Sequence, residues 1–204
     1  MGLVYFYAPM SSAVRTTWAL EELGLPVERR LVDLVAKGTR EESFLAKNPN
    51  GKVPVLEVDG VPLFESTAIL LYLAEAYGVD AGLYPEPGIV RGLAQQWIVW
   101  AQVTLSEAVQ RYGRNVSPHI PAEQRNAAAA EAAKQDVDVA LGVLDGALAG
   151  RQFLVGERFS LADLATAGFF GWLQFMGLDY AKWPNVSAWV ERCRARPSHR
   201  RAMG

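Results

Sequence analysis

The sequence has little cysteine and no marked excess of charge of one sign. Cys193 is the only cysteine in 204 residues, so an internal disulfide lacks a second partner. We therefore expect a reducing compartment, the cytoplasm by default. Lys and Arg number 20 against 22 Asp and Glu, and the net charge of −2 provides no broad basic surface for nucleic acid. Nucleic acid is thus not an expected partner.

Long apolar runs are also missing, although 50% of the residues are hydrophobic. The longest uncharged runs, such as residues 164–178, are shorter than the ~20 residues that a membrane-spanning helix needs. The first residues, MGLVYFYAPMSS, lack the features of a signal peptide and predict a strand that runs into a turn. His119 and His199 lie far apart, and no HExxH or paired-cysteine pattern occurs. We expect neither a membrane segment nor a metal site.

The first third of the chain alternates strand and helix patterns. Residues 3–7 are β-rich, a helical pattern follows, and residues 27–33 predict a second strand. Because a helix separates these two strands, they should pair in parallel. After a short charged helix, Asp59-Gly60 between two apolar runs predicts a hairpin, and a helix begins at Ser66. The predicted order is βαβ, α, ββα.

The remainder of the chain is helical. Residues 79–87, VDAGLYPEP, mix glycine with proline and indicate a linker. We predict helices beyond it over residues 89–111, 122–149, 160–176 and 184–194. The fold class is therefore α/β plus all-α, with an α/β domain over residues 1–78 and an all-α domain over residues 88–204.

One stretch of the hairpin carries an unusual set of residues, NPNGKVPVLEVDGVPLFEST, residues 48–67. Proline cannot donate to a strand ladder, so Pro54 belongs at an edge or at a break in the strand. Glu65 and Ser66 stand where the second strand ends. Taken alone, Ser66 fits a helix cap and Glu65 a charge near a helix start. Their combination with Pro54 indicates a binding site.

These residues carry a family resemblance. The order βαβ, α, ββα is the thioredoxin-like layout, and residues 48–78 closely resemble the glutathione-binding half of the cytosolic glutathione transferases. The capping box Ser160-Leu161-Ala162-Asp163 and the late WPNVSAWVERCRARP resemble the helical half of that family. The resemblance covers the whole chain. It implies a thioredoxin-like domain followed by an all-helical domain, glutathione as co-substrate, and a homodimer.

The resemblance also implies roles for five residues around the hairpin. The Val53-Pro54 bond would be cis, and the Val53 backbone would pair with the cysteinyl part of glutathione like an added strand. Glu65 would bind the α-ammonium group of the γ-glutamyl end, a favourable charge pair. Ser66, at a helix N-terminus, would bind the α-carboxylate. Lys52 would reach the glycyl carboxylate.

Catalysis by such a protein requires a lower thiol pKa. A free thiol with a pKa of about 8.5 is only a few per cent ionised at pH 7. Lowering that pKa by about two units takes roughly 2.7 kcal/mol, whereas a helix N-terminus supplies about 0.3–1 kcal/mol. A hydrogen bond to the charged sulfur contributes about 1.5–3 kcal/mol. A hydroxyl beside the first helix is therefore expected.

The sequence PMSSAVR offers two such hydroxyls. In serine-type transferases the active serine commonly stands four residues before an arginine of the first helix, as Ser11 stands before Arg15. Ser12 is the alternative, because zeta-type enzymes carry Ser-Ser-Cys in this loop, with Ala13 here replacing the cysteine. Tyr5 lies inside the strand, where core packing with a bonded hydroxyl is the expected role.

The electrophile site is expected in the helical half, where one wall is formed by the first long helix in this family. The predicted lining combines the catalytic loop with that helix: Met10, Trp97, Trp100, Thr104 and Tyr112. Three later aromatic residues are expected in the helical core: Phe169, Trp172 and Phe175.

The sequence thus predicts a cytoplasmic serine-type glutathione transferase that conjugates the glutathione thiolate to small apolar electrophiles. Two alternatives remain open. One is a non-catalytic glutathione-binding or protein-interaction module, because this fold serves several functions. The other is a glutathione-dependent isomerase, dehalogenase or peroxidase with the same binding motifs.

Overall fold

The computed structural model describes residues 2–203 and divides them into two compact units. The first unit comprises residues 2–85 with 196–203, and the second comprises residues 86–195. This division differs from the predicted domains, because the C-terminal residues join the α/β unit instead of the helical one.

Residues 2–85 contain β1 (Leu3–Tyr7), α1 (Ala13–Leu23), β2 (Glu28–Leu31), α2 (Glu42–Leu45), β3 (Val55–Val58), β4 (Val61–Phe64) and α3 (Ser66–Leu73). The second unit contains α4 (Ile89–Trp100), α5 (Glu107–Val116), α6 (Ala127–Ala147), α7 (Leu161–Ala167), α8 (Phe170–Phe175) and α9 (Pro184–Arg194). The final helix, α10 (Pro197–Met203), belongs to the first unit.

The strands form a mixed sheet in the order β2-β1-β3-β4 within the described residues. Strand β1 pairs in parallel with β2 and antiparallel with β3, and β3 pairs antiparallel with β4. Asp59 and Gly60 have φ values of 49° and 83°, the two positive values that a type I′ hairpin turn requires. The predicted parallel pair, the Asp-Gly hairpin and the thioredoxin-like order are confirmed.

Alternate residues of the central strands face different helices, as the two-residue period of a strand requires. Phe6 and Val55 pack with Phe44 of α2 in one hydrophobic cluster. Tyr5 is fully buried and its hydroxyl donates to the carbonyl oxygen of Ala13 at 2.7 Å, at the start of α1. Helix α1 also contacts α3. The N-termini of these two helices are therefore close to the sheet end described below.

Helix α10 is held against α1 by side chains of both helices. Trp18 donates from its indole nitrogen to Ser198 Oγ at 3.1 Å. Arg196 Nε donates to both carboxylate oxygens of Glu22 at 2.9 and 3.0 Å, and Arg201 Nε donates to Glu21 at 2.8 Å. These contacts explain why the C-terminal residues belong to the first unit.

The helices of the second unit differ in their bounds from the predicted ones. The helix predicted over residues 89–111 extends to Val116 and includes a π-helical segment, Ala101–Ser106. The helix predicted from residue 122 begins at Ala127, where the Asn126 side chain accepts from the backbone N–H of Ala129 at 3.0 Å. The helix predicted over residues 160–176 is divided into α7 and α8.

The predicted core positions of Trp172 and Phe175 are wrong. Their side chains are 40% and 58% exposed, and their rings stack on each other with centroids 5.2 Å apart. Helix α8 buries Phe170 and Leu173 instead, which leaves the other face of this short helix exposed. Phe169 is buried as predicted.

The predicted capping box at the start of α7 is confirmed, and its carboxylate has further partners. Asp163 is fully buried and accepts hydrogen bonds from Ser160 N at 2.9 Å, Leu154 N at 2.8 Å and Trp189 Nε1 at 2.9 Å. Burial raises the pKa of Asp163, against the effect of these donors. The carboxylate therefore joins α7, α9 and the preceding loop.

No helix among residues 2–203 has the length and apolar character needed to cross a bilayer.

Candidate glutathione site

Three segments of the first unit meet at one end of the sheet. Phe6 pairs with Val55, and Val55 pairs with Phe64. Because both pairings are antiparallel, the loop after β1, the residues before β3 and the residues after β4 lie at the same end. The hairpin thus brings its proline and its acid-hydroxyl pair next to the loop that carries the two serines.

The loop before β3 has a fixed backbone. The Val53-Pro54 bond is cis, as expected from the resemblance, and both residues are buried. Asn48, also buried, donates from Nδ2 to the carbonyl oxygen of Lys52 at 2.6 Å, and its Oδ1 accepts from Asn50 N at 3.0 Å. The Asn48 side chain therefore holds the backbone just before Val53.

Gly51 brings this loop against the 3₁₀-helical turn Gly38–Arg40. Its φ is 58°, and a Cβ added there would lie 2.6 Å from Arg40 Nη1 and 3.0 Å from the carbonyl oxygen of Thr39. Only glycine fits this close approach. Arg40 is consequently near the loop that presents Lys52, and the side chains of both cations are exposed.

The two serines of the β1–α1 loop make different hydrogen bonds. Ser11 Oγ donates to the carbonyl oxygen of Ala8 at 2.7 Å and accepts from Ala13 N at 3.1 Å. Its hydroxyl is therefore engaged within its own loop and at the helix start. Ser12 is exposed, and its Oγ donates at 3.0 Å to the carbonyl oxygen of Val53. Of the two hydroxyls, the one on Ser12 contacts the predicted cysteinyl position.

Ser66 begins α3 and is buried. Within residues 2–203, the hydrogen bond that its hydroxyl makes is with Arg15 of α1, whose Nη2 donates to Ser66 Oγ at 2.8 Å. Burial lowers the pKa of the Arg15 guanidinium to about 9, so the group remains cationic at neutral pH. In the sequence, Arg15 serves only as the arginine four residues after Ser11. No pattern in the sequence predicts that Arg15 is buried beside Ser66.

Glu65, the residue before Ser66, is exposed and has a strained backbone. Its φ is 69° and its ψ is 111°, values that a residue with a Cβ rarely adopts. Such strain costs about 1–3 kcal/mol and tends to occur at functional sites. Met10, in the serine loop, also has a positive φ of 52°, and its side chain is 72% exposed.

Tyr5 has the core role that its position in β1 predicts. Its hydroxyl donates to the Ala13 carbonyl oxygen and lies 3.0 Å from Thr17 Oγ1. Burial raises the pKa of the Tyr5 phenol well above its usual value. The hydroxyl is therefore held in the core as a neutral group.

The other predicted electrophile residues belong to the second unit. Trp97 and Trp100 lie on α4 with ring centroids 5.1 Å apart in an edge-to-face arrangement. Thr104 is exposed within the π-helical segment, and Tyr112 is half-buried on α5. π-Helical turns are frequent at functional sites. The lining role of these residues, with Met10, stays a prediction.

Among residues 2–203, no group of three or more His, Cys, Asp or Glu side chains is arranged to hold a metal ion.

The fold and this site define a class: a thioredoxin-like unit with a cis-proline loop, joined to a helical unit. Residues 1–75 match the family model of the glutathione S-transferase N-terminal domain, and residues 111–197 match that of the C-terminal domain. The chain belongs to the glutathione S-transferase family.

Individual proteins agree with this assignment. Glutathione S-transferase GstB of Escherichia coli (strain K12) is 35% identical over 186 residues, 90% of this chain and 88% of that protein. A glutathione transferase of Burkholderia graminis, solved with two glutathione molecules per subunit, is 28% identical. Its TM-score is 0.89, over 99% of this chain and 87% of that one. The nitrogen regulation fragment of the yeast prion protein Ure2p shares the fold at 24% identity, with a TM-score of 0.90 over 99% and 96% of the two chains.

Proposed function

We propose that this protein is a serine-type glutathione transferase in which Ser12, and not Ser11, donates a hydrogen bond to the glutathione thiolate. One observation carries the choice of serine. Ser12 Oγ lies 3.0 Å from the carbonyl oxygen of Val53, the residue expected to bind the cysteinyl part of glutathione. Ser11 is engaged by Ala8 and Ala13.

In this proposal, glutathione binds where the loop after β1, the residues before β3 and the residues after β4 meet. The cysteinyl backbone pairs with the backbone of Val53, which lies just before β3, and the γ-glutamyl α-carboxylate binds the N–H groups at the start of α3 and the Ser66 hydroxyl. Glu65 binds the α-ammonium group. Lys52 and Arg40, both exposed beside the Gly51 loop, bind the glycyl carboxylate.

Ser12 changes its hydrogen-bond partner in this proposal. Without ligand its hydrogen is given to the Val53 carbonyl oxygen. When the cysteinyl N–H of glutathione donates to that oxygen, the Ser12 hydrogen becomes available to the adjacent sulfur. The hydrogen bond favours the thiolate by about 1.5–3 kcal/mol, and the positive end of α1 adds about 0.3–1 kcal/mol. Together these contributions amount to about 2–4 kcal/mol, a range that includes the roughly 2.7 kcal/mol of a two-unit pKa reduction.

The chemical step then needs no other protein catalyst. The thiol proton passes to solvent, and the thiolate sulfur forms a bond to the electrophilic carbon. With an aryl halide, the halide departs with its electron pair. With an epoxide or an unsaturated carbonyl, the C–O or C=C π electron pair shifts onto the substrate, which then takes a proton from solvent. We propose that Met10, Trp97, Trp100, Thr104 and Tyr112 contribute to the pocket for a small apolar electrophile. The expected compartment is the cytoplasm, where the glutathione pool is kept reduced.

Two assays test the proposed function on the intact protein. Calorimetry should show glutathione binding, and a panel of aryl halides, epoxides and unsaturated carbonyls should give glutathione conjugates. Separate assays for glutathione-dependent isomerase, dehalogenase and peroxidase activity distinguish the other reactions. Binding of glutathione without turnover of any substrate would contradict the enzyme and favour a binding module. No binding of glutathione would contradict the site itself.

Changing Glu65 to glycine should separate stability from binding. Glycine adopts the backbone angles of residue 65 without strain, so we expect the free energy of unfolding to rise by about 1 kcal/mol. Glutathione should bind at least about tenfold more weakly, because the carboxylate that pairs with the ammonium group is lost. Thermal unfolding and calorimetry measure the two effects. Glu65→Gln is the control, since it keeps the Cβ and should show no gain in stability.

We further propose a homodimer. Several apolar side chains of α4 and of the π-helical segment after it are exposed, including Ile89, Val90, Leu93 and Val103. The family to which the chain belongs supports a second copy as the partner of this surface. Light scattering should give about twice the monomer mass, and Leu93→Glu should shift the protein toward monomer. Val139→Glu, at an even more exposed valine of α6, is the control and should leave the mass unchanged.

A further inference from the structure

A charged side chain lies buried behind the residues that receive the γ-glutamyl end. Arg15 of α1 is 3% exposed. Burying a guanidinium group is unfavourable unless hydrogen bonds and nearby negative charge compensate it. The lowered pKa of Arg15, about 9, reflects this burial. The contacts of the buried Arg15 guanidinium therefore indicate what its charge does.

Among its contacts, Arg15 makes a hydrogen bond with the hydroxyl of Ser66, and the chemistry of these two groups fixes the direction of that bond. An arginine side chain can only donate, so in the 2.8 Å contact from Arg15 Nη2 the Ser66 oxygen is the acceptor. The hydroxyl hydrogen of Ser66 is then left for another acceptor. Within residues 2–203 no protein group accepts it by the hydrogen bonds described. The buried hydroxyl is thus a donor without an acceptor.

The position of Ser66 determines what such a donor would bind. Ser66 is the first residue of α3, and the first-turn N–H groups of a helix have no acceptor within the helix. An anion at this point meets the N–H groups, the hydroxyl hydrogen and the field of the buried cation. Hydrogen bonds that polarise one another in series are strengthened, and Arg15, Ser66 and an anion bound there would form such a series.

We infer that Arg15 is a positioning residue that orients and polarises the Ser66 hydroxyl toward the γ-glutamyl α-carboxylate, and thereby makes the protein selective for ligands that carry this group. The inference rests on the proposed glutathione site. Arg15 does not touch the ligand in this arrangement. It acts through Ser66, from the opposite side of the hydroxyl.

A purely structural role makes a different prediction. If Arg15 only joined α1 to α3, its removal would loosen the site as a whole, and every ligand of the site would lose affinity by a similar factor. If Arg15 acts on the α-carboxylate, only ligands with that carboxylate are affected.

The test compares two ligands by calorimetry at neutral pH. One is glutathione, and the other is 4-aminobutyryl-cysteinyl-glycine, which lacks only the α-carboxylate. Arg15→Met should weaken glutathione binding about 30-fold and change the affinity for the analogue by less than twofold. Arg15→Lys, which keeps the charge but lacks the planar group, should give an intermediate loss for glutathione. Equal losses for both ligands, or no loss for glutathione, would overturn the inference.

A second comparison covers the case in which Arg15→Met does not fold. Ser66→Ala keeps Arg15 and removes the link, so it should weaken glutathione binding and leave the analogue unaffected. Arg15→Lys added to Ser66→Ala should then cause no further loss. An additional loss in the double variant would show that Arg15 does not act through Ser66. Failure of the wild type to bind glutathione would instead contradict the proposed function, and the two failures are thus distinguishable.

Discussion

Replacing Ser12 with alanine should lower kcat for conjugation about 100-fold, whereas replacing Ser11 should change it by less than threefold. Removing one preorganised donor to a developing or full negative charge typically costs about 10²–10³ in kcat. In the structure the Ser12 hydroxyl lies at Val53, while the Ser11 hydroxyl is bonded to Ala8 and Ala13. Steady-state kinetics with a fixed electrophile measure the effect.

The same pair of variants should differ in stability in the opposite sense. Ser11→Ala removes the acceptor for Ala13 N at the start of α1, a hydrogen bond whose loss costs about 0.5–1.5 kcal/mol. Ser12→Ala removes one hydrogen bond of an exposed side chain, so thermal unfolding should be nearly unchanged. A catalytic loss in Ser11→Ala with full activity in Ser12→Ala would reverse the assignment.

Replacing Asp163 with alanine should destabilise the helical unit by about 4 kcal/mol, within the range found when a buried charge or its partner is removed. The change leaves Leu154 N, Ser160 N and Trp189 Nε1 buried without an acceptor. For a chain of this length, the midpoint of thermal unfolding should fall by about 8–16 °C.

Two further variants test whether the hydrogen bonds accepted by the Asp163 carboxylate cause the loss of stability. Asp163→Asn keeps the shape but turns one acceptor oxygen into a donor, so it should lose roughly half as much stability as Asp163→Ala. Ser160→Ala should lose only about 1 kcal/mol, the usual effect of an N-cap. If Asp163→Ala lost no more than Ser160→Ala, the bonds to Leu154 and Trp189 would contribute nothing.

The fold could be predicted from the sequence because its signals are local and agree with one another. Asp59-Gly60 fixes the hairpin turn, the helix between the first strands requires their parallel pairing, and the Ser160-Asp163 spacing marks the start of α7. Helix bounds were less predictable. Pro121 favours a helix start at residue 122, but the cap at Asn126 sets the start of α6.

The arrangement within the site depends on contacts that the sequence does not encode locally. Ser11 and Ser12 are adjacent and chemically identical, and only the backbone of the loop determines that one bonds to Ala8 and the other to Val53. The contact of Arg15 with Ser66 joins residues 51 positions apart. A helical period likewise does not reveal which face of short α8 is covered, so Trp172 and Phe175 were misplaced.

The most direct test of the account is the pKa of the bound glutathione thiol. Thiolate absorbance in the ultraviolet, titrated against pH, gives this pKa for the wild type, Ser12→Ala and Ser11→Ala. We expect a wild-type pKa about two units below that of the free thiol, a rise of at least one unit in Ser12→Ala, and no change in Ser11→Ala. Glutathione that binds all three proteins with the pKa of the free thiol would contradict it.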